Sequence, residues 1–261
     1  MSDQSLNEND VKLLVNMVIH DLEKPLKVIA RVLERIQNET FDIHNPQHAK
    51  IVSSSLCSVK RSESMLNDLN DVLLMRSLPV HKKPFDLNEL IENIGNQFQI
   101  ICKEEHIRFF YHSAETYTLN SDPELIQRII ENYLQNALNH TVAGGEIRLE
   151  LSANDAGDLL IQVKNHGGAI PAQYLDQIFQ PGIQLNLRSQ RKFKGHGLGL
   201  AFCRLAAGAL GATVAAENLQ GNSGVSFSLK LNSSDIINNI PSDNEFVTLY
   251  HMNANKRSAH S

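Results

Sequence analysis

Apolar residues recur in alternating steps of four and three along the first part of this chain, and this spacing constrains the fold more than any other feature. Because such steps keep the apolar side chains on one side of a helix, they predict a long helix that packs lengthwise against partner helices. The series consists of Val11, Val15, Val18, Leu22, Pro25, Ile29, Val32 and Ile36. A second series, interrupted by Glu63, predicts another long helix and consists of Val52, Leu56, Val59, Leu66, Leu69 and Leu73.

The two helical patterns are separated by a turn over residues 38–48, in which Asn45-Pro46 is the expected breaker. Two antiparallel helices alone would leave much of their apolar seam in contact with water. We therefore expect a homodimer in which two such hairpins close a four-helix bundle.

Helical and strand patterns mix after a linker over residues 78–85. Asp86 and Asp122 each stand just before a helical pattern, where an aspartate can accept hydrogen bonds from the first free N–H groups. Period-two alternation predicts strands over residues 107–111, 147–151, 159–163 and 225–231. Helices and antiparallel-looking strands in this order indicate an α+β layer sandwich.

The composition excludes several classes of protein. A net charge of −5 over 261 residues argues against a general nucleic-acid binder. Three distant cysteines with no C-x-x-C pair argue against a disulfide scaffold or a zinc knuckle. No apolar run approaches the roughly 20 residues of a membrane helix, and no signal peptide opens the chain. We therefore expect a soluble, cytoplasmic protein.

A glycine run stands directly before a helical pattern that starts near Leu200. Gly195, Gly197 and Gly199 would leave backbone N–H groups open at a helix N-terminus, where polyphosphates bind well. The basic stretch 188–194 precedes the run and would then close over the phosphates. The alternative interpretation is a flexible, solvated loop, and charge alone favours it for the basic stretch.

Asparagines repeat on one face of the helix predicted to start at Asp122. Asn132, Asn136 and Asn139 follow steps of four and three, and His140 comes next. Asparagine is a mediocre helix former, so such a row suggests that the amides are used. Their oxygens suit Mg²⁺ beside substrate phosphates, although a polar row that faces solvent is the alternative.

Four segments, in this order, resemble the boxes of the GHKL ATP-binding fold in the form found in bacterial sensor histidine kinases. They are residues 132–141 (asparagine box), 165–171 (first glycine box), 177–181 (phenylalanine box) and 195–200 (second glycine box). Residues 85–91 are similar to the entry into that domain, and the resemblance extends over about residues 10–232.

The resemblance implies an α+β fold, with a two-helix hairpin followed by a GHKL-type layer sandwich. It divides the chain into a flexible start (1–9), a helical dimerisation and histidine phosphotransfer domain (10–77), a linker (78–85), an ATP-binding catalytic domain (86–232) and a mobile tail (233–261).

ATP and Mg²⁺ are the implied cofactors. The resemblance implies Asn136 as the Mg²⁺ ligand, with Asn132 and Asn139 as supporting contacts to phosphate or metal-bound water. The other implied nucleotide contacts are His140, Asn165, Gly167, Ile170, Phe179, Lys194, Gly195, His196, Gly197, Leu198, Gly199 and Leu200.

His20 is the implied phosphate acceptor, because it stands where the family places its phosphorylatable histidine. If Val15 and Leu22 are a positions of the heptad, His20 falls at f, on the outer side of the bundle. Asp21 would hold the other ring N–H, since an imidazole nitrogen attacks only when neutral. The implied reaction is ATP-dependent phosphorylation of His20, followed by transfer to an aspartate of a response regulator receiver domain.

Four positions depart from the family pattern. Asn165 stands where an aspartate usually accepts from the adenine amino group, which would weaken nucleotide binding by about 1 kcal/mol. Ala169 replaces a glycine of the same box. Glu23 replaces a basic or amide residue, and Lys24 replaces the Thr or Asn that orients a water for dephosphorylation, so we expect weak phosphatase activity.

These departures leave two alternatives to an active kinase. One is a degenerate kinase that acts in phosphotransfer or as a scaffold without useful ATP binding. The other is an ATP-gated clamp or serine-directed kinase, which is disfavoured because Asn132 stands where hydrolysing relatives carry glutamate. The input would come from a separate sensor protein or from the rest of a larger kinase.

Overall fold

The computed structural model describes residues 8–38, 45–74, 78–113, 115–154, 156–180 and 198–241. Within these residues the chain falls into two compact units. One contains the described residues up to Pro79 together with those from Pro171 to Ala209, and the other contains those from Val80 to Ile170 together with those from Leu210 onward. Each unit is described by itself, and the domain boundaries given above stay a prediction.

Three helices form the regular structure of the first unit. They are α1 (Glu8–Gln37), α2 (Pro46–Leu74) and, after the glycine run, α5 (Gly199–Leu210). Helices α1 and α2 contact each other, and Val32 and Leu69 are buried. Helix α1 continues through Pro25, in agreement with the long helix predicted there.

The sequence predicts a turn over residues 38–48 with Asn45-Pro46 as its breaker. In the structure, α2 already begins at Pro46. The backbone N–H of Gln47 donates to Oδ1 of Asn45 at 2.9 Å, so Asn45 caps the helix. Pro46 takes the first helical position, where its missing N–H costs nothing. The dipeptide therefore acts as the start signal of α2.

A five-stranded mixed sheet forms the centre of the second unit. Its strands are β2 (Arg108–Ser113), β4 (Glu146–Ala153), β5 (Leu159–His166), β6 (Thr213–Asn218) and β7 (Gly224–Leu231), in the order β2-β4-β5-β7-β6. The predicted hairpin between β4 and β5 is confirmed, with Leu149 opposite Val163. Strands β2 and β4 are parallel, whereas the strands looked antiparallel from the sequence, which predicted no pairing for these two.

Two helices of this unit pack against the sheet and against each other. They are α3 (Leu87–Glu104), which contacts β2, and α4 (Pro123–His140), which contacts β4 and β5. Asp86 and Asp122 cap them as predicted, and each accepts from two N–H groups of the first turn. The α+β class is therefore confirmed.

A second, three-stranded antiparallel sheet corrects two predictions. Its strands are β1 (Lys83–Asp86), β3 (Glu115–Ser121) and β8 (Ile236–Pro241), in the order β1-β3-β8. The predicted linker therefore ends in a strand, where Pro84 is tolerated because β1 is an edge. The prediction of a mobile tail is wrong for residues 236–241, because β3 supplies backbone partners that compensate for their weak apolar pattern.

None of the helices in the described ranges combines the length and the apolar character needed to cross a membrane.

Gly95 and Gly208 should respond in opposite directions to replacement by alanine. A Cβ at Gly95 would lie 2.8 Å from Cδ1 of Tyr111, whereas a Cβ at Gly208 meets nothing within 4 Å. We expect Gly208→Ala to raise the free energy of unfolding by about 0.5–1 kcal/mol through helix propensity. Gly95→Ala should lower it by about 1 kcal/mol, because overpacking outweighs that gain. Urea denaturation followed by circular dichroism measures both, and a stabilising Gly95→Ala would contradict the packing of α3 on β2.

Candidate functional site

Helix α4 is fixed in its rotation by an aromatic side chain that reaches the sheet. The hydroxyl of Tyr133 donates to the backbone oxygen of Ser228 at 3.1 Å, and its ring stacks on Phe227 with centroids 5.4 Å apart. The buried face of α4 comprises Leu125, Ile126, Ile129, Ile130, Tyr133, Leu134 and Ala137. Asn132, Asn136 and Asn139 are only half-buried, so the asparagine face lies outside this core.

The amides of Asn132 and Asn136 have a defined orientation. Nδ2 of Asn132 donates to the Arg128 carbonyl at 2.9 Å, and Nδ2 of Asn136 donates to the Asn132 carbonyl at 3.0 Å. A backbone carbonyl can only accept, so the amide atom facing it must be the nitrogen. In both residues Oδ1 is therefore the atom left to accept or to ligate.

These two oxygens fit a hard cation that is held jointly with a polyphosphate. In the part of the chain that the structure describes, no group of three or more His, Cys, Asp or Glu residues could hold a metal. Neutral amide oxygens alone are a weak ligand set, but Mg²⁺ keeps several waters and commonly binds through few protein ligands plus phosphates. Asn139 differs, because its Oδ1 already accepts from Gln135 at 3.4 Å.

Asn165 leaves a buried donor unsatisfied. Its side chain is 2% exposed at the end of β5, and Nδ2 has no hydrogen-bond partner among the described residues. An unpaired buried donor costs about 1–3 kcal/mol, so an acceptor brought by a ligand would be favoured there. A nucleobase, which carries ring-nitrogen acceptors, fits this requirement.

Gly167 joins the end of β5 to the end of α4. It forms an isolated bridge with Thr141, and a Cβ on it would lie 2.3 Å from the His140 carbonyl and 3.2 Å from Nδ2 of Asn165. The asparagine helix and the first glycine box are therefore adjacent. The glycine is needed for this close approach of backbones, whatever it contributes to a ligand.

Asn218 is a residue that the sequence analysis missed. From the end of β6, its Oδ1 accepts from the Ile170 N–H at 2.9 Å and its Nδ2 donates to the Ile170 carbonyl at 2.7 Å. This side chain thus pairs with the backbone of the loop after Gly167 as a strand would. No local pattern marks such a role, because the two residues meet only through the sheet register.

The other predicted site residues belong to the first unit. Phe179, Leu198 and Leu200 are buried, and Gly199 is the first residue of α5. His20 and Asp21 lie within α1. The remaining predicted contacts lie outside the described residues: Lys194, Gly195, His196 and Gly197.

A comparison with protein families finds one match, in the C-terminal part of the chain. The family described as histidine kinase-, DNA gyrase B- and HSP90-like ATPase matches residues 121–234. This part of the chain is therefore similar to the ATPase family. The matched region of this ATPase domain contains the asparagine face of α4, Asn165 and Asn218, so all three parts of the site fall within it.

Curated relatives of the chain are sensor kinases. Autoinducer 2 sensor kinase/phosphatase LuxQ of Vibrio vulnificus is 26% identical over 71% of this chain and 22% of its own length. Adaptive-response sensory kinase SasA of Crocosphaera subtropica is 26% identical over 72% of this chain and 50% of its own length. The chain thus spans half or less of these two relatives. The resemblance to a bacterial sensor histidine kinase core is confirmed.

One solved structure is similar in fold to most of this chain. Histidine kinase ThkA in complex with response regulator protein TrrA matches 84% of this chain and 61% of its own, with a TM-score of 0.58 and 21% identity. This likeness shows a common fold.

Gly167 and its neighbour Gly168 provide a matched test of the junction. A Cβ at Gly168 meets nothing within 4 Å, in contrast to the 2.3 Å contact at Gly167. We expect Gly167→Ala to lower the free energy of unfolding by about 1–3 kcal/mol. Gly168→Ala should change it by less than about 1 kcal/mol. Urea denaturation without nucleotide measures both, and equal effects would show that Gly167 has no special packing role.

Proposed function

We propose that the chain is the core of a two-component histidine protein kinase. It phosphorylates itself on His20 from ATP and passes the phosphoryl group to an aspartate of a response regulator. The observation that carries this proposal is the orientation of the Asn132 and Asn136 amides, whose oxygens are left to ligate beside the first glycine box. The family match over residues 121–234 supports ATP as the phosphoryl donor.

The α4 residues would hold the metal and the phosphates. Asn136 would ligate Mg²⁺ through Oδ1, with Asn132 and Asn139 as supporting contacts, and the cation would neutralise charge on the transferred phosphoryl group. His140, Gly167 and Ile170 would line the same nucleotide site. Phe179 and the segment Lys194–Leu200 would also contact the nucleotide, as the family resemblance implies, with Gly195, Gly197 and Gly199 contributing backbone N–H groups.

Transfer to a side chain is favoured over hydrolysis. Asn132 stands where hydrolysing relatives carry glutamate, and an amide cannot take a proton from water at neutral pH. The adjacent Glu131 lies about 100° around the helix. Its carboxylate accepts from Nε2 of Gln127 at 2.7 Å, which holds it on its own face of α4.

His20 would attack the γ-phosphorus through a neutral ring nitrogen. The P–O bond to ADP breaks as the P–N bond forms, and Asp21 would stabilise the positive charge that develops on the imidazole. No side chain other than His20 needs to bond to phosphorus in this step, so positioning and charge neutralisation carry the catalysis.

A homodimer through the N-terminal helices is part of the proposal. Ile19, Leu26 and Leu33 follow one another at intervals of seven on α1 and are 52%, 62% and 59% exposed. A heptad stripe of this kind suits a partner helix, and a second copy of the α1 and α2 hairpin would supply it as a four-helix bundle.

The partner in transfer would be a response regulator receiver domain, as in the ThkA structure, whose partner is the response regulator protein TrrA. We place the reaction in the cytoplasm, where ATP is available, with the input from a separate sensor or from further parts of a larger kinase. Asn165 and Ala169 favour one second candidate, a degenerate kinase that acts in phosphotransfer or as a scaffold without useful ATP binding.

Labelling with γ-³²P-ATP and Mg²⁺ tests the proposal. We expect an acid-labile, base-stable label on the wild-type chain, because a phosphorylated imidazole hydrolyses in acid. His20→Ala should abolish the label, and His48→Ala, which removes a histidine from α2, should leave it unchanged. The label is counted after acid or base treatment of the denatured protein.

The other outcomes separate the alternatives. No label and no nucleotide binding would favour the degenerate scaffold. An acid-stable label, or release of free phosphate alone, would favour a serine-directed kinase or an ATP-gated clamp. A label that survives His20→Ala would overturn the assignment of the acceptor.

Lys24 provides a test of the weak phosphatase activity expected above. We expect the wild type to leave the half-life of a phosphorylated receiver domain close to its spontaneous value. Lys24→Thr should shorten this half-life by about tenfold, because a hydroxyl can orient the attacking water. Lys27→Thr, which removes an exposed lysine paired with Glu23, is the matched control. The expectation fails if the wild type dephosphorylates the receiver as fast as Lys24→Thr.

A further inference from the structure

The loop from Gly167 to Ile170 is fastened to the main sheet at both of its ends. At its start, the Gly167 N–H donates to the Ser223 carbonyl at 3.0 Å, next to the last residue pair of β5 and β7. At its end, Asn218 holds both backbone polar groups of Ile170, at 2.9 Å from the nitrogen and 2.7 Å from the oxygen. The loop therefore runs from the start of β7 to the end of β6.

The two fastenings differ in the groups that make them. The one at Gly167 joins two backbone groups, so a side-chain replacement does not remove it. The one at Ile170 depends on a single side chain, because Asn218 supplies both the acceptor and the donor. Between them, Gly168 is exposed, and a Cβ on it would meet nothing within 4 Å. The loop is thus held at its ends and open in its middle.

We propose that Asn218 is a positioning residue for nucleotide binding: through the Ile170 backbone it keeps the loop in the shape that receives ATP. This inference rests on the proposed function, in which Gly167 and Ile170 line the nucleotide site. A site that is competent only part of the time binds more weakly in proportion to that fraction. The two hydrogen bonds of Asn218 keep the fraction high before the nucleotide arrives.

Asn88 of α3 provides a matched control, because its amide also bonds to backbone groups with both of its atoms. Its Oδ1 accepts from the Tyr117 N–H at 2.9 Å, and its Nδ2 donates to the Glu115 carbonyl at 2.8 Å. Like Asn218, it is half-buried. It holds β3, where the sequence predicts no nucleotide contact. A general loss of stability would therefore affect both alanine variants, whereas a misplaced loop would affect only Asn218→Ala.

Isothermal titration calorimetry with ADP and Mg²⁺ measures binding without turnover. We expect Asn218→Ala to bind ADP about tenfold more weakly than the wild type, the net effect of about one hydrogen bond. Asn88→Ala should stay within about twofold of the wild type. In autophosphorylation assays with Asn218→Ala, the KM for ATP should rise by a similar factor. The rate at saturating ATP should change by less than about twofold, because bound nucleotide selects the competent loop.

Hydrogen exchange of the Ile170 amide, followed by NMR without nucleotide, tests the loop itself. In the wild type this N–H is bonded to Oδ1 of Asn218, which protects it from exchange. We expect the amide to exchange about tenfold faster in Asn218→Ala. Its rate in Asn88→Ala should match that of the wild type.

Three results would overturn the inference while the kinase assignment stands. In the first, Asn218→Ala binds ADP within about twofold of the wild type. In the second, Asn88→Ala loses as much affinity as Asn218→Ala. In the third, the Ile170 amide of Asn218→Ala exchanges at the wild-type rate. If the wild type itself binds no ADP, the proposed function falls together with the inference.

A second variant, Asn218→Asp, covers the case in which Asn218→Ala does not fold. It keeps the shape of the side chain and the acceptor for the Ile170 N–H, but it turns a second oxygen toward the Ile170 carbonyl. Since neither oxygen carries a proton at neutral pH, we expect ADP to bind about tenfold more weakly. Asn88→Asp, the same replacement at the control position, should stay within about twofold. Wild-type affinity in Asn218→Asp contradicts the inference.

Discussion

The rotation of α4 about its own axis is the constraint on which the rest of the site depends. Tyr133 sets it by bonding to the Ser228 carbonyl and stacking on Phe227, both on β7. With that face against the sheet, the row of asparagines lies outside the core, and the end of the helix meets Gly167. A turn of the helix by one residue, about 100°, would bury the amides and separate the two boxes.

The hydrogen-bond partners of the asparagine side chains explain which of their amide atoms stay available. Asn132 and Asn136 satisfy their amide nitrogens on carbonyls four residues earlier, which leaves their oxygens to face a ligand. Asn218 performs the opposite task, since it uses both amide atoms to hold the Ile170 backbone. Asn165 does neither. Three uses of the same side chain therefore follow from where each stands relative to a backbone partner.

Local patterns predicted much of this structure. The caps at Asp86 and Asp122, the long N-terminal helices and the hairpin of β4 and β5 all depend on residues close together in sequence. The roles of individual residues in nucleotide binding stay predictions. For the asparagine row, the sequence indicated the shared face of the helix. The structure adds that Nδ2 of Asn132 and of Asn136 faces a backbone carbonyl, which leaves Oδ1 on the other side of each amide.

Features that depend on distant pairing could not be predicted in this way. The parallel pairing of β2 and β4 requires the chain to cross over between them. No short sequence pattern indicates such a crossover. Strand β1 contains a proline and β8 contains two asparagines, so both look like loops until β3 is placed between them. Asn218 and Ile170 are separated by 48 positions and meet only through β6.

The pairing of β8 with β3 has a consequence for how the chain can be shortened. A protein that ended at Asn232 would keep every residue of the matched glycine and asparagine boxes, yet β3 would lose the neighbour on one of its two sides. Its bare N–H and C=O groups would then be available to a strand from another molecule. Strand β8 therefore covers an edge of β3 that could otherwise pair with a second molecule.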